Sequence, residues 1–274
     1  MANSIENALY VVATPIGNLE DITLRAINVL KNVDVIAAED TRNTSVLLEK
    51  YSISTKLISY HKYSENSRIE LFLNYLNEGK SIALVSDAGT PLISDPGNVL
   101  VENVLNSNHK VIPISGASAV ITLLSATSRT DEDFKFIGFL PKIKNQIEKI
   151  ITNNKNENLI FYESPNRLIE TMETIKEIYP DKKITVGREL TKKFEEIKTF
   201  NINEMIEHFK NNTLKGEIVV LLHKDAQKEE FDFTDKIKKL KKLNLKDKEI
   251  SSILSELYDA NKNAIYKKCL EINN

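Results

Sequence analysis

Cysteine is all but missing from this chain of 274 residues: Cys269 stands alone, tryptophan is absent, and there are only 8 glycines and 7 prolines. A single cysteine excludes a disulfide framework and a cysteine-built metal site, and it fits a reducing, cytoplasmic setting. No metal is implied. No apolar run approaches the roughly 18 residues of a membrane-spanning helix, and residues 1–8 carry neither the basic start nor the apolar core that directs secretion. A soluble protein is expected. A surplus of one charge is lacking too. The 37 Lys and Arg against 39 Asp and Glu leave a net charge of -2, so a polyanion must be met by a local patch rather than by bulk charge. The few glycines never form G-x-G-x-x-G or G-x-x-x-x-G-K-[ST]. Phosphate cradles need closely spaced glycines so that several backbone amides can turn toward one anion, which disfavours a dinucleotide or nucleoside triphosphate.

What is present is an alternation. Residues 9–13, 33–38, 57–60, 82–85 and 111–114 are short, continuous apolar runs, the pattern of strands in a parallel sheet covered on both faces. Helical periodicity separates them: from about Ile22, with Asp21 placed to cap it, then at 46–48, 69–76 and 99–105. The chain is organised around residues 82–97. There an apolar strand is broken at once by Ser86, Asp87, Gly89, Thr90 and Pro91, and the loop carries two carboxylates, Asp87 and Asp95, before the next helix. In open α/β sheets ligands bind at the carboxyl ends of strands, where such loops sit.

From Phe134 the texture changes. Strands are expected at 134–139, 159–162, 184–187, 193–200 and 217–223, with helices chiefly at 165–179 and 203–209. Too few crossover helices separate them for a purely parallel arrangement, so a mixed sheet is expected. A boundary near 127–133 gives an N-terminal α/β domain (1–127), a second α/β domain (128–225) and a helical tail (226–274). In the tail, Ile250, Ile253, Leu254, Leu257 and Tyr258, then Ile265, Tyr266, Cys269 and Leu270, follow helical spacing. Residues 236–248 hold seven lysines and one acid, a local charge of +6. That stretch is either a solvated helix face or a phosphate-binding patch.

Loops 14–18, 86–97, 115–118 and 163–165 all follow apolar strands. They suit a ligand without phosphates, held by single backbone groups from several loops. S-adenosylmethionine is such a ligand, with an adenine, a ribose, an amino acid end and a sulfonium cation.

Six segments carry a resemblance: Thr14-Pro15-Ile16-Gly17-Asn18-Leu19-Glu20-Asp21, Glu39-Asp40-Thr41-Arg42, Ser86-Asp87-Ala88-Gly89-Thr90-Pro91, Ser115-Gly116-Ala117-Ser118, Phe161-Tyr162-Glu163-Ser164-Pro165-Asn166-Arg167 and Gly187-Arg188-Glu189-Leu190. In this order they resemble the motif set of the ribosomal RNA small subunit methyltransferase I family, over about residues 8–224, and the tail is similar to the small helical domain that often ends its members. The resemblance implies the tetrapyrrole methylase fold (class III methyltransferase), two α/β domains with S-adenosylmethionine between them, and a homodimer. It also implies methylation of the 2′-hydroxyl of a cytidine in the decoding centre of 16S ribosomal RNA, within the small ribosomal subunit.

By the same resemblance Pro15 and Gly17 stand in the first cofactor loop, although the superfamily's fuller glycine pattern is absent. Asp87, Ala88, Gly89, Thr90 and Ile93 match the loop around the methionine portion. Ser115, Gly116, Ala117, Tyr162 and Leu190 would line the remainder, closed by Gly216, Glu217 and Ile218. Methyl transfer to oxygen is an in-line displacement, and some group must take the hydroxyl proton. Candidates are Asp40, Glu163 and Asp21, with helix capping or ion pairing as their competing roles. Arg25, Arg42 and Arg167 could hold phosphates. His61, Lys62 and Arg68 could meet single-stranded RNA, as could Lys238, Lys239, Lys241 and Lys242 of the tail. A methylase of a tetrapyrrole, such as a corrin or sirohaem precursor, and a non-catalytic RNA-binding assembly protein are the rival readings.

Overall fold

A computed structural model describes residues 5–61, 65–129, 132–211, 214–224, 232–258 and 260–272; Lys62 lies outside them. Strands β1 (Leu9–Val12), β2 (Val35–Ala38), β3 (Lys56–Ser59), β4 (Ile82–Val85) and β5 (Val111–Ile114) form a sheet in the order β3-β2-β4-β1-β5. Every pairing in it is parallel. Helices α1 (Leu24–Asn32) and α2 (Thr41–Lys50) cover one face, where Ala26, Leu30 and Leu48 pack with Val12, Ile36 and Val85. Helices α3 (Glu65–Asn77) and α4 (Asn98–Asn106) cover the other, where Phe72 and Leu100 pack with Leu9, Val35 and Leu84. Side chains alternate between faces along a strand. In β1, β2 and β4 both faces are buried almost throughout, so these central strands read as unbroken apolar runs.

The first helix starts later than expected. Asp21 lies in a short 3-10 turn (Leu19–Asp21), and Thr23 caps α1, its hydroxyl oxygen accepting the Ala26 N–H at 3.0 Å. The reason is Ile22, extended and buried in the core, which separates the turn from the helix.

The chain continues through α5 (Ala119–Ser125), β6 (Lys135–Phe139), α6 (Lys144–Asn153), β7 (Leu159–Glu163), α7 (Pro165–Ile178), β8 (Lys183–Arg188), β9 (Glu196–Asn201), α8 (Ile202–Lys210) and β10 (Ile218–Leu222). The second sheet runs β6-β7-β10-β8-β9, with β6 and β7 parallel and the other pairs antiparallel. Its mixed character matches the expectation, but α6 was not foreseen. It supplies Ile147 and Ile151 to the core beside α7 and α8. Strand β9 begins at Glu196 rather than Lys193, because Glu189 (φ 51°) and Thr191 (φ 64°) turn the chain first. The opposite face of this sheet carries Val120, Leu123 and Leu124 of α5, packed with Ile160, Val219 and Leu221, and Ile16 from the loop after β1 joins that cluster. The loops of the first sheet are thereby anchored on the second.

Residues 226–274 are a separate compact unit from 1–225. Helices α9 (Thr234–Lys242), α10 (Asp247–Tyr258) and α11 (Lys262–Glu271) close on Phe233, Ile237, Ile250, Leu254, Ile265 and Cys269. Leu257, expected on the apolar face, is instead exposed. No helix among the described residues is long and apolar enough to cross a membrane.

Candidate functional site

Loops at the carboxyl ends of β2, β4, β7 and β8 meet the turn that precedes β10 around a cleft of about 450 Å³. The loop after β4 is pinned to the loop after β1. Thr14 N–H donates to the Gly89 carbonyl at 2.8 Å and Gly89 N–H returns to the Thr14 carbonyl at 3.1 Å, with Gly89 at φ 79°. Further along, Leu92 (φ 72°) and Ser94 (φ 71°) are non-glycine residues held in the left-handed region, which costs about 1–2 kcal/mol each. Such backbone persists where its surroundings over-determine it, and it gathers at functional sites. Here Ile93, Ser94 and Asp95 all border the cleft.

The electrostatics are one-sided. Glu39, Asp87, Asp95, Glu163 and Glu217 line the cleft, and no Lys, Arg or His does among the described residues. Burial, then the Glu39 and Asp87 charges, push the Asp95 carboxyl up to about 6, against the pull of the Ser86 hydroxyl. Burial and then Asp87 raise Glu39. Tyr162 is raised by burial, then by Asp95 and Glu217. The cleft also has an apolar lining that includes Ile16, Leu190, Ile218 and Val219. Phe139 and Tyr162 border it too, their ring centroids 5.4 Å apart. Unit charges ~4 Å apart near a protein surface interact by about 4 kcal/mol. A phosphate is therefore repelled here and a cation attracted. The acids do not converge as metal ligands: no group of three or more His, Cys, Asp or Glu among the described residues could hold a metal ion.

The cleft gathers Asp87, Ala88, Gly89, Thr90, Ile93, Tyr162, Glu163, Leu190, Gly216, Glu217 and Ile218. Pro15 and Gly17 border instead a smaller adjoining groove of about 210 Å³. Gly17 is there because nothing larger fits: a Cβ would run into the Lys192 stem and lie 2.8 Å from the Leu190 carbonyl oxygen. Ser115, Gly116 and Ala117 do not line the cleft, and Ser118 and Ala119 take that place. Gly116 allows close packing on Ala13, whose Cβ would be 2.9 Å from an added Cβ, and the Ala117 carbonyl accepts the Thr90 hydroxyl at 3.3 Å.

Two of the proposed catalytic acids are engaged elsewhere. Asp40 caps α2, accepting Arg42 N–H at 2.9 Å and pairing with its guanidinium at 2.5 Å, which holds the carboxyl down at about 2. The Arg42 side chain is 88% exposed. Glu39, one residue earlier and not singled out from sequence, faces the cleft instead. Glu163 is fully buried; it accepts Ser164 N–H at 2.8 Å and the Thr171 hydroxyl at 2.7 Å, and lies 3.5 Å from Arg167. Arg167 donates to the carbonyls of Leu140 (3.2 Å) and Pro141 (2.6 Å), so this pair ties α7 to the segment after β6. Arg25 and Arg68 are exposed on α1 and α3, and neither they nor His61 border either cavity. Lys238, Lys239 and Lys242 are exposed on α9, whereas Lys241 pairs with Asp247 at 3.1 Å. Asp95, marked in the sequence as the second carboxylate of the loop after β4 but not placed against the cofactor, lines the cleft, and so does Phe139, which sequence reasoning missed. Both sit at or beyond the carboxyl end of a strand, which was the available signal.

The described fold and cleft define a class, and comparison agrees. Residues 8–206 match the family model of Tetrapyrrole (Corrin/Porphyrin) Methylases. The solved methyltransferase CobJ superposes with a TM-score of 0.62 at 18% identity, covering 80% of this chain and 95% of that one. Uroporphyrin-III C-methyl transferase from Thermus thermophilus, complexed with S-adenyl homocysteine, does so at 0.56 and 15%, covering 78% and 96%. Among named relatives, the ribosomal RNA small subunit methyltransferase I of Rickettsia prowazekii is 46% identical over 81% of this chain and 80% of its own. That of Vibrio cholerae is 42% identical over 96% and 94%. The chain belongs to the tetrapyrrole methylase family and, within it, to the ribosomal RNA small subunit methyltransferase I family.

Proposed function

We propose that this chain uses S-adenosylmethionine to methylate the ribose 2′-hydroxyl of a cytidine in 16S ribosomal RNA of the small ribosomal subunit. One observation carries the reading: a cleft of nucleoside-plus-amino-acid size, bordered by the acids Glu39, Asp87, Asp95 and Glu217 and by apolar side chains, with no cation among its described lining residues. That environment suits a phosphate-free cation. The names of the relatives, and a neighbour of the same fold complexed with S-adenyl homocysteine, support it.

Asp87, Asp95, Glu39 and Glu217 would set the negative potential for the sulfonium and ammonium, and Tyr162, Leu190, Ile218 and Val219 would hold the adenosine. Bound there, the cofactor supplies a methyl group to the ribose oxygen as the carbon–sulfur bond breaks, its electron pair staying on sulfur. The hydroxyl proton must leave as the carbon–oxygen bond forms. Glu39 is the better acceptor than Asp40: its carboxyl is raised by burial and Asp87, whereas a group held at about 2 is a weak base. Glu163 and Arg167 tie α7 to the segment after β6. Incubation of purified protein with labelled S-adenosylmethionine and undermethylated small subunits should label the ribose of a cytidine; the absence of label in both free 16S RNA and small subunits overturns the reading.

A further inference from the structure

We propose that the groove beside the main cleft is the subsite for the nucleotide that accepts the methyl group. The inference rests on the function proposed above and adds where its substrate sits. The groove has the size of a single nucleoside, about 210 Å³, and shares Ile16, Asp87, Ala88 and Glu217 with the cleft. A donor on one side and an acceptor on the other thus meet along a common border. The charge pattern separates the two occupants. The cleft repels phosphate, but Lys192 borders the groove and is the one cation lining either cavity among the described residues. Asp87 and Glu217 border the groove as well, but there Lys192 stands beside Glu217, so the groove offers a cation to the phosphodiester that a ribonucleotide must keep near its ribose and the cleft does not.

Lys192 is placed with care. It lies on a turn whose residues Glu189 (φ 51°) and Thr191 (φ 64°) are left-handed without being glycine. The turn is held by Glu189 N–H on the Glu217 carbonyl at 2.9 Å and by Thr191 N–H on the Glu195 carboxylate at 2.6 Å. Gly17 packs against the lysine stem, which fixes where the ammonium can go. The ammonium donates to Glu189 at 2.8 Å and to Glu217 at 3.1 Å. The Glu217 side chain is 70% exposed, so a phosphate can take its place while Glu189 keeps the lysine aimed. Asn43 and Thr44 add polar atoms on the α2 side. Asn43 is exposed and linked to Asp87 through its amide nitrogen at 3.1 Å.

Two variants test this: Lys192→Met, which removes the charge, and Leu19→Trp, which fills the groove from its apolar border at a half-buried position outside the cleft. With undermethylated small subunits, each should raise KM at least about tenfold and weaken equilibrium binding of the subunits to a similar degree. The calorimetric Kd for S-adenosylmethionine should stay within about twofold, and Lys192→Arg should recover most of the loss. Lys192→Met should also flatten the salt dependence of kcat/KM by close to one phosphate contact. Wild-type protein that binds cofactor and methylates subunits while both variants match it overturns the groove assignment alone. Variants that lose cofactor affinity in parallel overturn it too, by assigning the groove to the cofactor. Wild-type protein that neither binds the cofactor nor transfers methyl overturns the parent function, and this subsite with it.

Discussion

Asp95 stands between left-handed Ser94 and Pro96 with its carboxyl pushed up to about 6, mainly by burial and then by Glu39 and Asp87. The folded protein therefore holds a proton there at pH values where an unfolded chain has released it. Ionised Asp95 costs stability, a cost absent below pH 4 and complete above pH 6. A cationic ligand reverses this preference. Binding of S-adenosylmethionine should strengthen as pH rises from 5 to 7 and release a proton near pH 6, seen as heats that depend on the buffer's ionisation enthalpy. Asp95→Asn should abolish that proton release, weaken binding about tenfold and raise the Tm of the ligand-free protein at pH 8. A variant that keeps the pH dependence would place the titrating group elsewhere. Such a residue trades stability for binding, as functional sites commonly do.

Helix α5 is the element that fastens the second sheet to the loops of the first, because Leu123 packs with Ile16, Val219 and Leu190. Gly187 of β8 lies under it: an added Cβ would be 2.8 Å from Leu123 Cδ1 and 3.1 Å from Val219 Cγ1. Gly187→Ala should overpack this layer and cost about 1–3 kcal/mol, and Leu123→Ala should leave a cavity costing about 2–5 kcal/mol. The two errors are complementary. In urea unfolding the double variant should be more stable than the sum predicts, by about 1 kcal/mol or more; strict additivity would mean that the two side chains do not share that space. The same scale explains what sequence reasoning missed. Helix α6 has Ile147, Ile150 and Ile151 as its apolar positions amid polar neighbours, too short a stripe to announce a helix. Asp21 looked like a cap because acids favour that position, yet the buried extended Ile22 moved the start to Thr23.

For the whole molecule the decisive feature is that residues 1–225 and 226–274 are separate compact units, the second with its own core around Ile237, Ile250 and Cys269. Cutting between them removes no core residue from the first. A fragment of residues 1–225 should fold cooperatively and bind S-adenosylmethionine with a Kd within about twofold of the full chain. It should bind small subunits more weakly, because exposed Lys238, Lys239 and Lys242 leave with α9. Circular dichroism and calorimetry read the first two properties and filter binding the third; undiminished subunit binding would show that the lysine-rich helix is only a solvated face.

The sequence by itself determined the alternating parallel sheet, the mixed second sheet, the helical tail and the strand-end loops that border the candidate site. Those signals are local: burial on both faces makes a strand uniformly apolar, and turn residues must follow it where it ends. Tertiary structure alone decided that Glu39 rather than Asp40 faces the cleft, that Glu163 and Arg167 tie α7 to the segment after β6, and that Pro15 and Gly17 belong to a neighbouring groove. A step of one residue turns a side chain from the cleft to its own helix. The approach of Ile16, Asp87 and Glu217 depends on how two sheets pack, which no local stretch of sequence contains.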